Sequence, residues 1–175
     1  CQKQEVSPAR TYGTVYFLVK DIPADTSSLS SLEITISKIL VHTSSDDRWV
    51  TVSNTPKTFD LVSLQNSDLL GLLSDNRLEV GNYNQIRFDI SEVKAVINSQ
   101  KTTVKIPSNT IKINYDLEVL YGNGNVVLLD FILNESLHIT GEGKLIFAPV
   151  IHLENYNGAT VSVNEDKATL KGGNK

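Results

Sequence analysis

The stretch "TIKINYDLEVLY" (110–121) alternates with a period of two. Ile111, Ile113, Tyr115, Leu117, Val119 and Tyr121 share one side of an extended chain, and Lys112, Asn114, Asp116 and Glu118 share the other. A strand with one apolar and one wet face belongs in an antiparallel sheet. It runs into "GNGN" (122–125), whose residues tolerate positive φ, and then into "VVLLDFI" (126–132); this spacing predicts a hairpin. The same β-branched alternation recurs at 13–20, 31–42, 48–53, 58–62, 84–90, 93–97, 102–106, 136–140, 144–153 and 159–163. Only "SDLLGLLSD" (67–75) predicts a helix, a short one capped by Ser67 with a stripe of Leu69, Leu70, Leu72 and Leu73. Many short strands without alternating helices predict an all-β fold: an antiparallel β-sandwich with Greek-key connections, immunoglobulin- or transthyretin-like, with at most one short helix.

With 175 residues, one core is the default. Residues 1–11 read as a polar tether, 12–165 as a single sandwich domain, and 166–175, closing on Gly172 and Gly173, as a polar tail in which order fades. Sixteen Lys and Arg against twenty Asp and Glu give a net charge of −4 with the basic residues scattered, so no nucleic-acid footprint is expected. The apolar runs, such as Val126 to Leu129, are far shorter than the roughly 20 residues of a spanning helix.

Cys1 is the sole cysteine. A chain that starts at cysteine and continues into a polar tether fits a lipid-modified bacterial lipoprotein; the alternative is an arbitrary boundary. A lone terminal cysteine has no disulfide partner within the chain and no second metal ligand, which favours the lipid. Acyl chains on Cys1 would anchor the protein without a membrane-spanning helix, so the expected location is exported and membrane-anchored at the cell surface.

Candidate chemistry is sparse. His42, His138 and His152 belong to no dense ligand motif, so no metal is expected. Asp46 and Asp47 lack calcium-loop spacing and read as a solvated turn. There is no nucleophile elbow, and "GNGN" and "GEGK" (141–144) read as turns between strands rather than phosphate loops, so neither a catalytic residue nor a cofactor is expected. Among Asp60, Asp89, Asp116 and Asp130, Asp60 and Asp130 stand inside apolar runs where alternation could turn one inward; the simpler reading has them facing solvent or accepting hydrogen bonds from turn amides. Arg87 is expected to pair with a carboxylate, and Trp49, the sole tryptophan, to lie in the core. Asn134 heads the one N-glycosylation sequon.

Taken together, "GTVYFLVKDIP", "LEITISKILVH" followed by Trp49, "TFDLVSL", "VGNYNQIRFDI", "VKIPSNTIKI", "LLDFILNESLHITGEGK" and "FAPVI" occur in the order and spacing of domain-of-unknown-function family 4382, which the chain resembles from about Gly13 to Ile151. The resemblance implies an exported, commonly lipid-anchored β-sandwich and brings no catalytic residue with it. The first expectation is therefore a non-enzymatic surface module with a structural or adhesive role. Its "TYGTVYFLVK" segment, alternating Val15, Phe17 and Val19, could be donated to a neighbouring copy to build filaments, although pairing within its own sheet is the simpler course. The second expectation is a glycan-binding sandwich that stacks sugars on Tyr12, Tyr83, Tyr121 and Tyr156; an enzyme ranks third.

Overall fold

β-Branched and aromatic residues at alternate positions pack best on a pleated, half-buried surface, and in the computed structural model they do so almost throughout. The structure describes residues 11–21, 29–65, 70–140, 144–164 and 167–174; Cys1 and most of the expected tether lie outside them. Strands β1 (Tyr12–Asp21), β2 (Leu29–Thr43), β3 (Trp49–Ser53) and β4 (Lys57–Asp60) lead into one helical turn, α1 (Leu61–Gln65). Then come β5 (Leu70–Ser74), β6 (Arg77–Glu79), β7 (Gly81–Ile97), β8 (Gln100–Lys105), β9 (Thr110–Val119) and β10 (Gly122–Phe131). A second turn, α2 (Leu133–Ser136), precedes β11 (Leu137–Ile139), β12 (Leu145–Phe147), β13 (Ile151–Asn164) and β14 (Lys167–Asn174).

Two sheets form the sandwich. In the first, β1 has β10 on one edge and β5 and β6 on the other; β13 follows β10, β14 follows β13, and β14 returns to β5 through Lys167 and Ala168. These pairings close β1, β10, β13, β14 and β5 into a ring. In the second sheet the long strands β2 and β7 pair centrally, with β3 and β4 on the outer edge of β2 and β8 and β9 on that of β7; β12 and β11 extend from β8. The sandwich is all-β as expected, but its sheets are mixed: β1 runs parallel to β10 and β12 parallel to β8.

Residues on alternate sides of β1 and β10 go into two different cores. Val15, Phe17, Val19, Val127, Leu129 and Phe131 join Ile34, Ile36, Ile86 and Phe88 of the second sheet in the main cluster. Leu18, Val126 and Leu128 join Leu72, Ala159 and Ala168 in a second cluster inside the ring, with Tyr16, Tyr156, Val161 and Leu170 packed against it. Burial on both faces is why "VVLLDF" is a continuous apolar run rather than an alternating one.

Three expectations are corrected here. Residues 70–74 of the expected helix form strand β5, because Leu72 faces the ring and Leu73 the main core; the helical turn lies earlier, where Asp60 accepts the amides of Val62 and Ser63 and caps α1. "GNGN" is not a hairpin: β9 pairs with β7 in one sheet and β10 with β1 and β13 in the other, so the chain crosses between sheets at Leu120 and Tyr121. Buried Asn125 ties this crossing, its Oδ1 accepting the Leu120 amide (2.9 Å) while its Nδ2 donates to the Leu120 carbonyl (2.7 Å). The expected C-terminal tail is β14, paired with β13 from Asn157↔Asn174 to Asn164↔Lys167 and burying Ala168.

Gly124 permits β13 to pass close over the start of β10: a Cβ there would stand 2.7 Å from the Ala159 carbonyl oxygen and 2.8 Å from its amide nitrogen. Gly124→Ala therefore forces backbone apart. We expect a loss of about 1–3 kcal/mol, read as a thermal midpoint lower by several degrees; an unchanged midpoint would contradict this close approach.

Candidate functional site

One end of the sandwich collects the exposed apolar side chains. β1 begins there at Tyr12, opposite Glu79 at the end of β6; Gly13 pairs with Gly122 at the start of β10, and Gly81 at the start of β7 pairs with Val119 at the end of β9. The Val80 amide donates to the Thr11 carbonyl at 2.8 Å. Four of the large hydrophobic side chains exposed among the described residues, Tyr12, Val80, Leu120 and Tyr121, are thereby gathered at the strand ends, and Tyr121 is 80% exposed. The sheet crossing places the last two: having left one sheet and not yet joined the other, Leu120 and Tyr121 have no facing layer to bury them.

Tyr121 lines two clefts. One, of about 490 Å³, is bounded by Tyr16, Leu120, Tyr121, Asn123, Thr160 and Val161 over the close-packed backbone of Gly124, Gly158 and Ala159. The other, of about 440 Å³, is bounded by Tyr12, Thr14, Arg77, Tyr121, Gly122 and Asn123. The Arg77 guanidinium lies 5.4 Å from the Tyr12 ring centroid, a cation–π contact that holds the ring and brings a positive charge to the cleft. The Thr14 hydroxyl donates to Asn123 Oδ1 at 3.2 Å. The surface thus combines flat aromatic faces with hydroxyl and amide groups, the means of gripping a ligand that has both an apolar ring face and many hydroxyls.

A built turn between β2 and β3 adjoins this end through Arg48, which pairs with Asp46 (2.6 Å) and Glu79 (3.4 Å). Within it, His42 Nδ1 donates to Asn84 Oδ1 (2.7 Å) and Nε2 to Asp47 Oδ1 (2.6 Å). Two acceptors on two ring nitrogens favour the imidazolium, so the His42 pKa is raised, first by the Asn84 bond and then by Asp47. With both nitrogens engaged, the ring is a clasp for the turn rather than a general base or a metal ligand. The Thr43 and Arg48 hydrogen bonds hold the Asp46 carboxyl below its ordinary range. Asp47 adopts φ 53°, a strained conformation that this clasp maintains.

Trp49 is not in the core as expected: it is 41% exposed at the start of β3, edge-on to His42 with ring centroids 5.0 Å apart. Of the four tyrosines expected to stack, Tyr12 and Tyr121 share a cleft, whereas Tyr83 is buried, donating its hydroxyl to the Glu79 carbonyl with its pKa pushed up to about 12 by burial. Tyr156 is half-buried and donates to Glu154. Val15, Phe17 and Val19 are fully buried in β1, paired within their own chain, and Asn134 lies in α2. No group of three His, Cys, Asp or Glu side chains suited to a metal occurs among the described residues. Asp60 accepts the Leu32, Val62 and Ser63 amides and the Ser31 hydroxyl, while Arg87 pairs with Asp89 at 3.4 Å on a partly exposed face. Of Asp60, Asp89, Asp116 and Asp130, Asp130 is the buried one. Leu120, Asn123 and Asn125 are hidden in the sequence because "LYGNGN" reads as a hairpin turn, and Arg77 carries no sequence signal that places it beside Tyr12.

Fold and site define a two-sheet β-sandwich whose strand ends present an aromatic, amide-rimmed surface. The chain belongs to the family described as Domain of unknown function (DUF4382), whose family model matches residues 12–149. No curated protein and no solved structure matches it. The match stops before β13, yet β13 pairs with β10 from Val126↔Tyr156 to Phe131↔Ile151 and is integral to the first sheet.

The raised His42 pKa predicts a pH dependence. A folded-state value above the ordinary 6.5 contributes stability that is complete below pH 6.5 and is lost as pH rises through the folded value. The midpoint difference between the native chain and His42→Gln should be largest in mildly acidic buffer and shrink as the pH is raised; a difference constant with pH would rule out the imidazolium clasp.

Proposed function

We propose that the protein is a non-enzymatic, exported surface module, tethered to a membrane by lipid on Cys1, that binds a glycan in the clefts beside Tyr121. The observation that carries this reading is the gathering of Tyr12, Val80, Leu120 and Tyr121 at one end, around two clefts rimmed by Asn123, Thr14 and Thr160. Leaving such side chains in water forgoes about 1.5–3 kcal/mol of burial for each large one, and a contiguous exposed set rimmed by polar groups is the usual mark of an interaction surface. Tyrosine suits sugars because its ring stacks while its hydroxyl stays wet.

The lipid anchor on Cys1 is carried over from the resemblance to a family of exported, commonly lipid-anchored proteins. An adhesive role follows from glycan capture at the cell surface. Self-assembly by donating β1 is the second structural reading, and it would require a neighbour's Val15, Phe17 and Val19 to replace these residues between β10 and β5. The pairing of β1 on both edges within its own chain favours a self-contained module.

A glycan array followed by calorimetry on the hits tests the ligand. Tyr121→Ala removes an 80%-exposed side chain and should leave the fold intact while weakening binding about tenfold, equivalent to about 1.4 kcal/mol. Tyr12→Ala should weaken it similarly. No glycan bound at millimolar concentration, or binding indifferent to Tyr121→Ala, would overturn the proposal.

A further inference from the structure

Asp130 lies inside the "VVLLDF" run of β10 and faces the interior of the strand ring with Val126 and Leu128. The residue is only 4% exposed, and its Oδ1 is buried with no hydrogen-bond partner among the described residues. Its Oδ2 lies 3.7 Å from Lys20 Nζ, close enough for attraction and too far for a hydrogen bond. Buried carboxylates are normally hydrogen-bonded by both oxygens, and one with a buried oxygen left unpartnered calls for an explanation. As an ion pair this one is poorly built.

Its surroundings are specific. Lys20 is the register partner of Asp130 across the parallel β1–β10 pair. His152 is its partner across β10–β13, and Glu154 is the partner of Leu128, diagonal to Asp130 on the same face and within reach of a long side chain. Glu154 also accepts from the Tyr156 hydroxyl and lies 3.8 Å from His152 Nε2. Burial is the main influence on the Asp130 carboxyl and raises its pKa; the Glu154 charge raises it further, against the opposing pull of Lys20 and His152. Burial thus disfavours the charged form of the carboxyl that lies beside the Lys20 side chain.

We propose that Lys20 and Asp130 join in an intramolecular amide bond, with Glu154 as the proton relay. Transfer of one proton from the Lys20 ammonium to the Asp130 carboxylate gives a neutral amine and a neutral acid. The amine lone pair attacks Asp130 Cγ, the N–C bond forms, and the proton lost by nitrogen passes through the Glu154 carboxylate to the departing hydroxyl. The C–OH bond breaks and one water leaves; no oxidant, reductant or co-reactant is required. The amide removes both charges and leaves no carboxylate oxygen to solvate inside the ring. It also fastens β1 to β10 covalently, closing a loop of about a hundred residues, long enough for a cross-link to restrict the unfolded chain strongly. This holds whatever ligand the Tyr121 clefts take.

Mass spectrometry of the purified full chain tests it directly, with peptide mapping to separate any modification at Cys1. The expected result is a mass one water below that of the sequence and a branched peptide joining Lys20 to Asp130. Lys20→Arg and Asp130→Ala should each restore the missing water, and Glu154→Gln, folded by circular dichroism, should retain it or lose it far more slowly. Full mass in the native chain with Lys20 and Asp130 on separate linear peptides would overturn the proposal, as would a water lost at any other position. Cross-linking of Glu154→Gln at the native rate would remove Glu154 from its role.

Discussion

The parallel pairing of β1 with β10 is the contact on which the rest of the structure depends. From Val15↔Asn125 to Asp21↔Phe131 the two strands run side by side, and each sends alternate side chains into a different core. Toward the second sheet they contribute Val15, Phe17, Val19, Val127, Leu129 and Phe131; toward the ring they contribute Leu18, Val126 and Leu128. A layer buried on both faces cannot be removed without uncovering two clusters at once. Parallel strands need a long crossover, and here that crossover carries β2, β3, β4, β7, β8 and β9 of the second sheet together with β5 and β6 of the first. The fold is therefore fastened between its beginning and its later third, and the β13–β14 hairpin covers what the pair turns away from the sandwich.

The candidate site follows from the same arrangement. Because β10 must lie beside β1 while β9 stays with β7, the chain has to cross between sheets at Leu120 and Tyr121. Asn125 is the device that makes the crossing affordable, since its amide takes the place of a ladder for the Leu120 amide and carbonyl and bonds to Thr14 and Asn157 as well. An exposed tyrosine at that corner is the by-product of topology, and Tyr12, Arg77 and Asn123 turn it into a surface with binding chemistry. The His42 clasp holds the neighbouring turn by a separate set of hydrogen bonds.

Much of this was legible in the sequence where one face of a strand is wet. The alternation of 110–119 marks β9 directly, and β2, β3 and β7 are marked in the same way. Legibility failed where both faces are dry or where a side chain replaces a ladder. "LLGLLS" reads as a helical stripe because a strand between two cores shows no period of two, and only the ring reveals that Leu72 and Leu73 point to opposite clusters. β14 hides its two inward residues, Ala168 and Leu170, among polar neighbours. Asn125 reads as turn chemistry because nothing local distinguishes an asparagine that bends a hairpin from one that ties two sheets. Asp130 was singled out by its apolar context, and its burial agrees with the inward orientation that alternation allowed.

Native-state hydrogen exchange of the full chain tests the central claim most directly. If the β1–β10 pair holds both cores together, the amides of Phe17, Leu18 and Val19 and of Val127, Leu128 and Leu129 should exchange only through global unfolding, with the same highest protection in both strands. Exchange of the β1 amides through a local opening, well before those of β7 and β2, would mean that β1 can leave its sheet and would contradict the account.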